Sequence, residues 1–229
     1  MASHEQALAS PGPVRIGRVA QAAGWTLVCL LAAAFIGKYV FHYYLDFTPK
    51  GFDVYWTRRW PLLLHLSAGM VALTTGPFQF WTGLRARLPR VHRWVGRLYL
   101  AAVALGSAAV LYMAITTTFG WAYGLALAML ALAWASCAGV AWAAILAGAV
   151  ALHRRWMVRA YVVTFAFVTY RLISDWLPTS QLKPAQDLAV ADAWACWVIP
   201  LMVTVVIQDL GEIRRAGRRR VARPMQGPV

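Results

Sequence analysis

Long apolar runs alternate with short basic stretches along the chain. Six runs have the ~20 mostly apolar residues needed to cross a ~30 Å hydrocarbon core, at roughly 24–45, 61–83, 95–118, 121–148, 157–177 and 188–208. They are too long for barrel strands and lack the dyad alternation of polar and apolar positions. Helices are the remaining way to satisfy backbone groups in lipid. The pattern predicts an all-α, polytopic transmembrane helical bundle of six spans, organised as an N-terminal segment (1–23), a membrane domain (24–208) and a basic tail (209–229).

Within the spans, several polar residues fall on helical faces. His65, Gly69, Ala72, Gly76, Gln79 and Gly83 repeat at four- and three-residue intervals, a stripe of small residues with a polar group near each end. Pro77 removes a backbone donor there and is expected to bend the helix. His92, Gly96, Tyr99, Val103 and Gly106 form a second stripe, and His153, Met157, Ala160, Thr164, Phe167, Arg171 and Asp175 a third. An Arg inside a span must face the bundle interior and find a partner. Asp175, four residues on, is the expected partner of Arg171. Lys38 and His42 near the end of the first span are expected to snorkel.

Charge sets the orientation. Sixteen of the 22 Lys and Arg residues lie in segments 1–23, 84–97, 148–159 and 209–229, whereas the opposite connections hold four. Positive charge marks the cytoplasmic side, which puts both termini there and residues 46–60 and 178–187 on the far side. The apolar stretch near the N-terminus is longer than a signal-peptide h-region and reads as the first span. The net charge of +14 is explained by this topology and by contact of the tail with anionic headgroups. No recognition module accompanies it, so nucleic acid is not an expected partner. Cys29, Cys137 and Cys196 fall in three different spans without a CxxC pairing, as small apolar residues do. There is no HExxH, no GxSxG and no carboxylate pair placed for acid–base work, which argues against hydrolysis.

One motif occurs twice. HRWVGRLYL (92–100) returns as HRRWMVRAY (153–161), matching His92, Arg93, Trp94, Arg97 and Tyr99 with His153, Arg154, Trp156, Arg159 and Tyr161. Either the set is an interfacial anchor used twice, since Arg snorkels and Trp and Tyr prefer the interface, or His92 and His153 meet at the cytoplasmic end, across a cofactor or in a polar cluster. Gly96 and Gly106 leave room either for a flat ligand or for a neighbouring helix.

The segments HLSAGMVALTTGPFQF, LRARLPRVHRWVGRLYL and HRRWMVRAYVVTFAFVTYRL, within residues 65–172, resemble the bacterial membrane protein family called domain of unknown function 2306. That resemblance implies a multi-span protein of the bacterial inner membrane and no established activity. A looser similarity is to the b561-type cytochromes, in which paired histidines hold b haems. It implies His92, His153 and His65 as candidate ligands of a b-type haem, with Arg97 and Arg159 toward its propionates. A second, outer pair of ligands is incomplete, because 121–148 holds no histidine. The candidate functions are therefore haem-binding or quinone-linked electron transfer, a proton-coupled small-solute transporter suggested by His65, Arg171 and Asp175, and a non-catalytic assembly subunit.

Overall fold

The computed structural model describes residues 13–176 and 185–221. Most of the connection 178–187, the first part of the segment 1–23 and the end of the tail 209–229 lie outside these residues. The described chain forms α1 (Pro13–Phe35), a π-helical turn (Ile36–Val40), α2 (His42–Leu45), α3 (Pro49–Phe52), a 3-10 helix (Asp53–Arg58), α4 (Arg59–Phe80), α5 (Thr82–Arg87), α6 (Pro89–Ile115), α7 (Trp121–Leu146), α8 (Val150–Thr164), α9 (Ala166–Trp176) and α10 (Ala185–Val221). Among the described residues there is no strand.

Among the described residues five stretches are long and apolar enough to cross a membrane: Val19–Leu45, Pro49–Phe80, Pro89–Ile115, Trp121–Leu146 and Asp187–Arg218. The run expected at 157–177 is divided between α8 and α9. At the break, the Phe165 amide is shared between the carbonyls of Tyr161 and Val162 (3.3 and 3.1 Å). The cause is local. Val162, Val163 and Thr164 are β-branched and poor helix formers, and the Thr164 hydroxyl donates to Ala160 O at 2.9 Å, a back-bond that bends helices.

α6 is the centre of the bundle, packed between α4 and α7, with α8 against α7 and α10 across α7, α8 and α9. Half of the most apolar window of α6 is buried, against 6% for the first span. Small residues make the close contacts possible. A Cβ on Gly76 would lie 2.0 Å from the Tyr161 ring, and one on Gly106 2.9 Å from Trp134. Both glycines are therefore helix-packing positions. Tyr99, Val103, Ala141 and Ala160 are completely enclosed in the resulting core, so the predicted stripes face inward along α6 and α8, but the third does not at its α9 end, where Arg171 and Asp175 are exposed.

Two further features go beyond the sequence reading. Residues 46–60, which read as a polar connection, form a packed cap: Phe52 is buried, with Tyr43, Phe47 and Trp56 around its ring. Arg58 is 6% exposed. It donates to Thr116 O (2.7 Å), Val54 O (2.8 Å) and Thr118 Oγ1 (3.3 Å), clamping the cap to the α6–α7 turn. At the opposite end α10 continues past residue 208 without interruption, so the first part of the basic tail is helix. Arg155 of α8 pairs with Asp209 (2.8 Å) and Glu212 (2.5 Å) on that extension.

Candidate functional site

The break at Phe165 opens space in the bundle. Val163, Thr164, Ala166 and Phe167, on either side of it, line a cavity of about 150 Å³ together with residues of α4, α6, α7 and the end of the first span. His65 of α4 lies on its wall, near Trp134 of α7 (ring centroids 6.4 Å apart) and Phe167 of α9 (6.1 Å). Its Nδ1 approaches Gly106 O at 3.4 Å. A carbonyl only accepts, so this contact sets Nδ1 as a protonated nitrogen, and when the ring is neutral it leaves Nε2 with a lone pair.

Thr164 fixes the cavity floor. Its single hydroxyl proton is committed to Ala160 O, so the oxygen accepts from Trp134 Nε1 and from Tyr99 Oη, both at 2.9 Å. Three helices, α6, α7 and α8, are thereby joined at one atom.

Arg171 lines the other end, one helical turn beyond Phe167, about 6 Å along the axis. Its guanidinium lies over the rings of Tyr39 (4.9 Å) and Tyr170 (5.8 Å). Tyr39, Tyr43, Tyr55 and Tyr123 surround this end of the cavity. The expected partnership with Asp175 is not formed. Asp175 instead pairs with Lys38 Nζ at 2.8 Å and accepts the Tyr39 hydroxyl. Lys38 and Tyr39 lie on the π-helical turn, whose extra residue per turn brings both donors to one carboxylate. Among the described residues, no carboxylate is within ion-pair distance of Arg171. Lys38 thus does not simply snorkel, and His42 packs against Tyr43 (3.8 Å) rather than joining His65.

At the far end of the bundle the two copies of the duplicated motif make similar local contacts. In each copy the Arg stacks on the Trp three residues before it: Arg97 on Trp94 at 5.2 Å and Arg159 on Trp156 at 4.6 Å. Arg159 also donates to Gln208 Oε1 at 2.9 Å. The two tyrosines are buried, Tyr99 on Thr164 and Tyr161 donating to Leu73 O at 3.1 Å. The histidines differ. Gly148, with φ +73°, turns the chain sharply between α7 and α8, and His153 Nδ1 donates back to Ala141 O at 2.9 Å. His92 Nδ1 is buried without a partner, although His153, Arg85 and Arg93 lie within electrostatic reach of the ring.

These residues do not fit a haem. The gap at Gly96 is taken by Gln79, whose Oε1 would be 3.0 Å from an added Cβ, and the gap at Gly106 by Trp134 and Ala68. Arg97 and Arg159, expected at propionates, are committed to their own tryptophans. Among the described residues no group of three or more His, Cys, Asp or Glu side chains is placed to hold a metal ion. Cys137 and Cys196 are buried, Cys29 is exposed, and all three are free.

The family described as "Predicted membrane protein (DUF2306)" matches residues 62–207. The chain belongs to this family. The match runs from the second turn of α4 into α10 and so takes in His65, Thr164, Arg171 and Asp175. It leaves out α1, the π-helical turn and the cap. No curated protein and no solved structure matches the chain.

Sequence reasoning reached His65 and Arg171 but not Tyr39, Tyr43, Tyr55, Trp134 or Thr164. Aromatic residues near span ends carry an interfacial meaning by default, which hides a ring of tyrosines turned inward. Thr164 did lie on a predicted inward stripe, and that was the available signal.

Proposed function

We propose that this is a multi-pass protein of the bacterial inner membrane, with six spans and both termini in the cytoplasm, that binds a lipid-soluble quinol in the cavity between His65 and Arg171. The sixth span is α8 and α9 taken together across the break. The Lys and Arg distribution supports this topology, with the Arg171 end of the bundle outermost and the basic end against anionic headgroups.

The observation that carries the ligand assignment is the size and polarity of one cavity. About 150 Å³ is the volume of an apolar cavity that accepts a single benzene ring, and this one has a hydrogen-bonding group at each end. His65 Nε2, with Nδ1 turned to Gly106 O, accepts a hydroxyl proton. Arg171, one turn beyond the Phe167 that faces His65, donates to an oxygen on the opposite side of the ring. Trp134, Phe167 and Leu130 supply apolar walls. A 1,4-quinol has these features: a flat ring with one oxygen at each end. This supports the quinone-linked reading over the haem reading.

A transporter for a small anionic solute is the second reading. A broken helix beside a cavity and an Arg with no carboxylate partner among the described residues both favour it.

The test is calorimetric titration of a tailless benzoquinol into the purified protein in nanodiscs. Wild type should bind, and His65→Leu and Arg171→Leu should each weaken binding about tenfold, as loss of one hydrogen bond to the ligand does. Absence of binding to wild type, or binding by both variants as tight as that of wild type, rules the quinol out. Saturable binding of small carboxylates abolished by Arg171→Leu alone would favour the transporter.

A further inference from the structure

A ring-sized cavity has no room for the hydrocarbon tail that makes such a ring lipid-soluble, so a tailed ligand must leave through a wall. Leu73 of α4 is such a wall. It lines the His65 cavity on one side and, on the other, a groove of about 840 Å³ between α1 and α4. The groove is apolar along its length. Trp25 of α1 and Phe80 of α4 stack at 5.0 Å, Ala32 and Ala33 keep the α1 side low, and Pro77 and Trp81 continue it along α4. From Leu73 to Phe80 it follows α4 for about 10 Å, a large part of one leaflet's half of a ~30 Å core.

The partition between the two spaces is thin and soft. Ile36, Val40, Leu73 and Val168 form a small apolar cluster of their own, separate from the main core. Ile36 and Val40 belong to the π-helical turn, and α1 is the least buried of the spans. Gly37 on that turn has nothing within 4 Å of an added Cβ. Among the described residues no charged side chain lines the groove, which suits a hydrocarbon chain and no polar headgroup.

We infer that the α1–α4 groove is the binding site for the isoprenoid or alkyl tail of the molecule whose ring occupies the His65 cavity, the tail passing at Leu73. The inference rests on the quinol reading of that cavity. It makes the substrate class a single-tailed quinol that enters sideways from the bilayer. Tail and ring then bind as linked parts, so a tailed ligand gains affinity from a surface the tailless ring never touches.

The experiment compares tailless and decyl-tailed benzoquinol on the nanodisc-embedded wild type, Ala33→Trp and Thr74→Phe. Ala33 and Thr74 are exposed groove residues, so both changes fill the groove without entering the core; size-exclusion profiles check that the variants remain folded. The expected result is that the decyl compound binds wild type at least about tenfold tighter than the tailless one. Either variant should remove most of that gain and leave tailless binding unchanged. If tailless binding is intact and the decyl advantage survives both variants, the tail lies elsewhere and the inference is overturned. If the tailless compound fails on wild type, the ring site is wrong, and the inference falls with it for that separate reason.

Discussion

Lys38 Nζ lies 2.8 Å from Asp175 Oδ2, tying the π-helical turn of the first span to the last turn of α9. Both side chains remain largely exposed (65% and 41%), so the pair is a positional tether more than a source of stability. The charge-swapped double variant Lys38→Asp with Asp175→Lys should therefore recover the thermal midpoint that either single reversal lowers. Swapping Arg171 with Asp175 should not. Recovery by the second swap would reinstate Arg171 as the partner.

Thr164 predicts a sharp contrast between two conservative changes. Thr164→Val keeps the shape but strands the Tyr99 hydroxyl and Trp134 indole, each 2.9 Å away, and should cost about 1–3 kcal/mol per stranded donor. Thr164→Ser retains the acceptor and should stay within ~1 kcal/mol of wild type. Denaturation in detergent distinguishes them, and equal loss in both would mean that the methyl group matters more than the hydroxyl.

Gly76 and Gly139 separate packing glycines from incidental ones. An added Cβ meets the Tyr161 ring at 2.0 Å in the first case and nothing within 4 Å in the second. Gly76→Ala should destabilise by roughly 1–3 kcal/mol through overpacking, whereas Gly139→Ala should be neutral or slightly stabilising, because Ala is the better helix former. Thermal midpoints of the two purified variants decide it.

The purified protein should show no haem bands in a reduced-minus-oxidised visible spectrum, because the gaps at Gly96 and Gly106 are filled by neighbouring side chains. His153→Ala should cost about 1 kcal/mol through loss of its 2.9 Å bond to Ala141 O. A haem band that disappears in His153→Ala would contradict the packing argument.

Topology is open to maleimide labelling in a Cys29→Ala background, since Cys29 is the exposed native cysteine. Lys50→Cys in the cap should react in intact cells, and Arg90→Cys at the start of α6 only after permeabilisation. The reverse pattern would invert the bundle, and with it the side from which the cavity is reached.

Much of this architecture is legible before any coordinates. Apolar run length places five of the long helices, and the stripes through Tyr99, Val103 and Ala160 point to the core they form. The break at Phe165 is not legible, because neither Gly nor Pro marks it. A run of three β-branched residues and one hydroxyl back-bond suffice. Lys38 and Asp175 are 137 positions apart, and helical periodicity relates only near neighbours, so Asp175 is matched to Arg171 by default. The glycines beside His92 and His65 are ambiguous for a different reason: an absent side chain shows that something comes close without saying what. The cap is misread because Asp46, Lys50, Asp53, Arg58 and Arg59 give it a loop's composition, while Phe52 and the backbone-bound Arg58 give it an interior.

The first span is the one the bundle holds least. It lies outside the family match at 62–207 and is hardly buried, yet its π-helical turn furnishes Tyr39 and the lysine that meets Asp175, and α1 furnishes one flank of the groove. A protein sharing only the matched region would then carry His65 and Arg171 without the Tyr39 and Val40 side of their cavity or the α1 flank of the groove, and could vary what reaches them by exchanging a single peripheral helix.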